Sequence, residues 1–210
     1  MIYSPDHKFL MLKNIKVGGT SLEVELSKVL PDNAIVTPIN PSNIDHYPRN
    51  YGNFYNHITY KLIKETIDLS NVNSYVFVRN PYDIQLSMLF YRLKEKNIVW
   101  EKIPIWQKNN LLDIFFSQTD ESFKMHNSTK NIYTINGEII VDRVLMYENG
   151  IEDEINSILP DHGIEKINMK TFEKQYKPKE YTVENTFKED HLEKIYSEWS
   201  WEFNQFGYKQ

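Results

Sequence analysis

The chain has 210 residues, 40% of them apolar, no cysteine, and a formal charge of −5 from 24 basic and 29 acidic side chains. Length and apolar fraction suit one α/β domain with a full core, whereas the acidic balance argues against nonspecific nucleic-acid or membrane binding. The missing cysteines exclude disulfides and a thiol nucleophile, and the lack of a long apolar run or of a basic-then-apolar leader predicts a cytoplasmic protein.

In chain order, Phe9 to Leu12 reads as a short buried strand, and Leu22, Leu26, Val29 and Leu30 recur at the spacing of one helix face before Pro31 ends it. Between them lies KNIKVGGTS. Gly18 and Gly19 let backbone amides turn toward a ligand, and the helix that starts there aims N–H groups and a partial positive charge the same way. Lys16 adds a full charge, and Thr20 and Ser21 add donors. A Walker A loop places its lysine after the last glycine, whereas here it precedes the pair, which argues against an ordinary ATPase or GTPase. The same residues also suit a plain tight turn into a helix, so a second site has to separate the two readings.

Pro38, Pro41 and Pro48 mark a long loop that is placed to border an acceptor cleft. His57 follows, just ahead of a helical pattern carrying Ile58, Leu62 and Ile63. Tyr75 to Val78 is the next short apolar run, and it leads into RNPYDIQLS, Arg79 to Ser87. Asn80 suits a helix cap, Pro81 the first helical position, and Asp83 the acidic position of a capping box, with Ile84, Met88 and Tyr91 as the buried stripe. Arg79 falls at the carboxyl end of its strand, where open α/β sheets bind ligands, and Ser87 two helical turns further on. Taken alone, Arg79 suits an ion pair with Asp83 or a neighbouring carboxylate better than a ligand contact.

The region from Lys94 to Asn127 is rich in aromatics. Phe115 and Phe116, in LLDIFF, read as part of a buried helical lid, while Trp100 and Trp106 suit either a core or a platform for a flat acceptor. Near the end, Leu192, Ile195, Trp199, Phe203 and Phe206 recur at spacings of three and four and predict one amphipathic helix, covered by the core or by a second copy. The six histidines show no HxxxH or HExxH spacing, so no metal site is expected, and His7, His162 and His191 read as solvated. No repeat, low-complexity tract or Gly/Ser linker divides the chain, which reads as a single domain over residues 1–210.

KVGGTS and RNPYDIQLS, each after a short strand and in this order, resemble the two phosphate motifs of the sulfotransferases that use 3'-phosphoadenosine 5'-phosphosulfate, especially the carbohydrate branch. The resemblance extends to GEIIVDRVLMYENGIEDEI, like that family's later strand and Tyr-Glu-Asn turn, and to EWSWEFNQFGY, like its closing helix. It implies a P-loop-like three-layer α/β domain with a central parallel sheet flanked by helices, working as a monomer or homodimer. It further implies that Lys16, Val17, Gly18, Gly19, Thr20 and Ser21 hold the 5'-phosphosulfate, with Lys16 also stabilising the leaving group, and that Arg79 and Ser87 bind the 3'-phosphate. The acceptor would be a carbohydrate, with a hydroxylated lipid, a small molecule or a tyrosine as alternatives, and the desulfated product 3',5'-bisphosphoadenosine. No metal is needed in that scheme.

A base must take the acceptor proton, and His57 matches the family's histidine between the two motifs. His46 and His126 are reserves. Glu23 is the carboxylate alternative, or a plain solvated acid if it lies on the helix's outer face. The chain departs from the family at Met146, where relatives carry arginine before the Tyr-Glu pair, and at Ser128 and Thr129, where Ser-Gln is usual. Lack of cysteine and of a membrane anchor also departs from the eukaryotic Golgi members and points to a bacterial or viral enzyme. A P-loop-type kinase and a non-catalytic nucleotide-binding module are the competing readings.

Overall fold

The computed structural model describes residues 1–39, 46–117, 129–170 and 177–209. They are grouped in two compact units, Met1–Arg79 with Thr129–Lys174, and Asn80–Ser128 with Gln175–Gln210.

The first unit is built on a mixed five-stranded sheet. Its strands are β1 (Ile2–Ser4), β2 (Phe9–Leu12), β3 (Ile35–Val36), β4 (Asn73–Val78) and β7 (Arg143–Met146), in the order β3-β1-β2-β4-β7. β5 (Thr134–Ile135) and β6 (Glu138–Ile139) form a separate two-stranded ribbon. β4 pairs in parallel with β2 on one side and with β7 on the other. The expected central parallel sheet is found in these three strands, but the sheet is mixed, because at the other edge β1 runs antiparallel to both β2 and β3. A four-residue turn separates β1 from β2, and so short a link permits only a hairpin, whereas β2 and β4 are joined by a crossover long enough to carry two helices. Those are α1 (Gly19–Val29) and α2 (Tyr60–Lys64), and α5 (Ile151–Asn156) follows β7.

Alternation along the strands puts Phe9, Met11, Tyr75, Phe77 and Leu145 in one apolar cluster with Leu22 and Leu26 of α1 and Ile155 of α5. Leu10, Leu12, Val76 and Val78, on the alternate positions, are buried as well. The two central strands are therefore apolar on both faces, which is why they read as continuous hydrophobic runs. Asp142, just before β7, accepts from the amide and the hydroxyl of Ser74 at 2.7 and 2.6 Å, fixing the register of the β4–β7 pair.

The second unit contains α3 (Pro81–Glu95), α4 (Ile105–Phe115), α6 (Val183–Thr186), α7 (Glu189–Glu198) and α8 (Ser200–Phe206). Asn80 caps α3 by accepting from the amide of Tyr82, and Pro81 takes the first helical position as expected. The single closing helix predicted from the apolar stripe is two helices that break at Trp199, yet Ile195, Trp199 and Phe203 are buried together as that stripe requires. Phe115 and Phe116 are buried, and the tryptophans divide, Trp100 inside and Trp106 exposed. His191 is a correction: it is buried and stacked on Phe116 with ring centroids 4.6 Å apart. Among the described residues no helix is long and apolar enough to cross a membrane.

Candidate functional site

The loop after β2 is set by its backbone. Asn14 donates through Nδ2 to the carbonyl of Phe77 at 3.2 Å and accepts through Oδ1 from the amide of Ile15 at 2.8 Å, tying the end of β2 to β4. The chain then bends through two left-handed residues, Lys16 at φ 57° and Gly18 at φ 72°, while Val17 between them anchors the loop in the apolar cluster. Gly18 is required on two counts: its φ disfavours any side chain, and a Cβ there would lie 2.4 Å from Ile151 Cδ1. A lysine in the left-handed region costs about 1 kcal/mol or more, and such strain gathers at functional sites. His57, at φ 60°, is a second case.

Gly18 caps α1 without a side-chain hydrogen bond, so the amides of Gly19 and Thr20 open the helix at its positive end. Thr20 is half-buried and the Ser21 side chain buried.

Arg79 leaves the carboxyl end of β4 and donates from Nη1 to the carbonyl of Lys16 at 3.0 Å. Its guanidinium carbon lies 4.1 Å from the ring centroid of Tyr147, the residue after β7. Parallel strands β2, β4 and β7 thus deliver the Lys16 loop, Arg79 and Tyr147 to one edge of the sheet, where open α/β sheets bind ligands. Tyr147 was hidden in a turn that reads as scaffold; the signal that points to it is an aromatic directly after a strand parallel to one that ends in arginine. Ser87 lies half-buried on α3, in the second unit.

His57 is held at the base of the same loop. Its Nδ1 lies 3.0 Å from the carbonyl of Lys13. A carbonyl only accepts, so Nδ1 carries the proton and Nε2 of the neutral ring keeps its lone pair. Burial first, and then the Lys13 charge, lower the imidazole pKa to about 4 against the opposing pull of the Lys13 carbonyl and Glu23, so the ring is neutral at pH 7.

Glu23 faces inward, which rules out the solvated-acid alternative. Its carboxylate takes an ion pair from Lys13 through Oε2 and accepts from the amino nitrogen of Met1 at 2.7 Å through Oε1. Burial pushes this carboxyl up, but the two ammonium groups and their hydrogen bonds more than reverse that and hold it below the usual carboxylate range. With both oxygens so engaged, Glu23 is poorly placed to act as a base. His46, a reserve candidate, lies with Nε2 3.1 Å from the carbonyl of Thr37. His126 and Ser128 lie outside the described residues.

A polar cleft of about 510 Å³ opens at the opposite edge of the sheet, lined by His7, Tyr60, Asn73, Asp142 and His162 among others. It contains none of the candidate residues. His7 and His162 are corrected from solvated to half-buried: each Nδ1 donates to the other's carbonyl at 2.8 Å, and Tyr75 Oη lies 2.7 Å from His162 Nε2. Among the described residues no three His, Asp or Glu side chains are grouped to hold a metal ion.

The lowered His57 pKa has a sign that can be measured. The unfolded chain, with an ordinary imidazole near 6.5, binds more protons than the folded one between that value and about 4. The contribution to stability is therefore complete above about pH 6.5 and is lost as pH falls through about 4, amounting to about 3 kcal/mol. Denaturant unfolding at pH 7 and pH 4 is expected to show His57→Gln losing about that much less than wild type on acidification. Equal losses would contradict the burial of a neutral ring.

In comparisons with known proteins, no family model, no curated protein and no solved structure matches this chain.

Proposed function

We propose that this protein is a sulfotransferase that moves a sulfuryl group from 3'-phosphoadenosine 5'-phosphosulfate to an acceptor hydroxyl, on a P-loop-like scaffold. The observation that carries the proposal is the hydrogen bond from Arg79 to the Lys16 carbonyl, which joins the two anion motifs read from the sequence at one sheet edge. The Arg79 guanidinium, the backbone of Lys16 and the amino end of an 11-residue helix meet there, a pattern suited to a nucleotide with phosphates on both sides of its ribose.

In this reading the loop amides and Lys16 hold the phosphosulfate, and Arg79 holds the 3'-phosphate. His57 Nε2 takes the hydroxyl proton as the acceptor oxygen bonds to sulfur in line with the breaking bond between sulfur and the bridging oxygen. The departing bisphosphate keeps that electron pair, and Lys16 stabilises its growing charge. The acceptor class proposed is carbohydrate, on the strength of the resemblance alone.

One observation favours a second reading, a bisphosphate-binding module without turnover. An imidazole held at about 4 is a weaker base than one poised near neutrality. A bound polyanion would raise that value, since a nearby negative charge favours the protonated ring.

Two variants separate these readings. Because Arg79 also holds the Lys16 carbonyl, Arg79→Ala is expected to weaken both 5'-AMP and 3',5'-bisphosphoadenosine in calorimetric titrations, with an additional loss of about 1.5 to 3 kcal/mol for the bisphosphate. Equal losses would remove the 3'-phosphate role. His57→Ala is expected to lower sulfuryl transfer by about a hundredfold or more while bisphosphate affinity survives. Unchanged turnover in this variant would exclude His57 as the base, and a wild-type protein that binds the bisphosphate without transferring sulfate to any acceptor supports the module.

A further inference from the structure

Beneath the anion loop lies a buried pair that the reaction scheme does not use. Lys13, the first residue after β2, is 5% exposed, and Glu23, on α1, is 2% exposed. Taking two charges out of water costs several kcal/mol per ion, and well-packed apolar residues of similar volume are often as stable or more so. Stability is therefore a weak reason for the pair, and its position offers a better one.

Lys13 is fixed along its whole length. Its stem runs under the start of α1, where a Cβ on Gly19 would meet Lys13 Cγ at 3.0 Å and Cε at 3.4 Å. Its Nζ is held by Glu23, and the next residue, Asn14, is bonded to β4. Its carbonyl is the acceptor of His57 Nδ1. One residue therefore links the core of α1 through its side chain to the imidazole through its backbone.

We propose that the buried Lys13–Glu23 pair is the positioning device for His57, fixing the carbonyl that selects the Nδ1–H tautomer and so leaves the Nε2 lone pair to accept a proton. The catalytic consequence rests on the reading of His57 as the base; the positioning itself does not. The same pair acts on the ring by charge, Lys13 disfavouring the imidazolium and Glu23 favouring it, with the amino group of Met1 adding to the Lys13 effect. A pair that served packing alone would still shift the titration by its charges but would leave the Nδ1–H tautomer in place.

The test is an NMR titration of protein carrying isotope-labelled histidine, with the His57 signals assigned by their loss in His57→Asn. In wild type the ring nitrogen shifts at pH 7 are expected to report Nδ1–H; the Nε2–H tautomer would overturn the proposal without any further variant. Lys13→Met is expected to move the His57 midpoint upward, and Glu23→Gln to move it downward. The double variant removes both charges, keeps side-chain volume, and leaves Gln Oε1 facing the Met1 nitrogen. It therefore tests the proposal even if the single variants fail to fold. Its midpoint is expected above wild type and below that of Lys13→Met, with a loss of preference for Nδ1–H. An unchanged Nδ1–H preference in the folded double variant would overturn the proposal, whatever the midpoint does. Sulfuryl transfer is not measured here, so an absent activity would remove the function proposed above while leaving this result standing.

Discussion

Parallel pairing of β2 with β4 is the constraint from which the candidate site follows. Once two strands run in the same direction side by side, the loops that leave them emerge at the same edge. The crossover between them must also be long enough to carry a helix back across the sheet. Here that geometry brings the glycine loop and Arg79 to one edge, and Asn14 and Arg79 then lock the loop to β4 through backbone carbonyls. β7 extends the parallel set and adds Tyr147 under the guanidinium.

Charge at this edge is local. The chain as a whole is acidic, with a formal charge of −5. Lys16 and Arg79 nevertheless converge, and the amino end of α1 is added to them. An anion, as proposed, would be drawn here by placement rather than by the field of the whole protein. Behind it, the ionic groups of Lys13, Glu23 and Met1 are withdrawn from water. His57 sits at the boundary between the two zones, neutral because it is half-buried beside a lysine, and oriented because a carbonyl accepts from one of its nitrogens.

Much of this frame was legible in local sequence. β2 spans Phe9–Leu12 as read, because a run of four buried apolar residues bounded by charge has few other uses. α1 begins at the glycine pair, and α3 begins with its cap and proline, since those signals act within a turn of the residues that carry them. What was not legible depends on contacts between distant parts of the chain. β1 and β3, of three and two residues, are too short to carry a period and exist because each gains a neighbour. Nothing near His7 announces a partner 155 residues away, and His191 is stacked on Phe116, the residue just past α4. Glu23 reads as a candidate base or a solvated acid until Lys13 is found opposite it, and Tyr147 gains a role only when β7 is placed beside β4. The long closing stripe was read correctly as apolar, but periodicity alone does not register the break at Trp199.

The central claim is that the two motifs form one site for a nucleotide phosphorylated on both sides of its ribose. Calorimetric titration of the intact protein with 3',5'-bisphosphoadenosine, run beside ADP and beside ATP with magnesium, tests it most directly. The account predicts that the bisphosphate binds without a metal and clearly more tightly than ADP or ATP. Preference for ATP with magnesium would contradict it and turn the site toward phosphoryl transfer, and failure to bind the bisphosphate at all would contradict it outright.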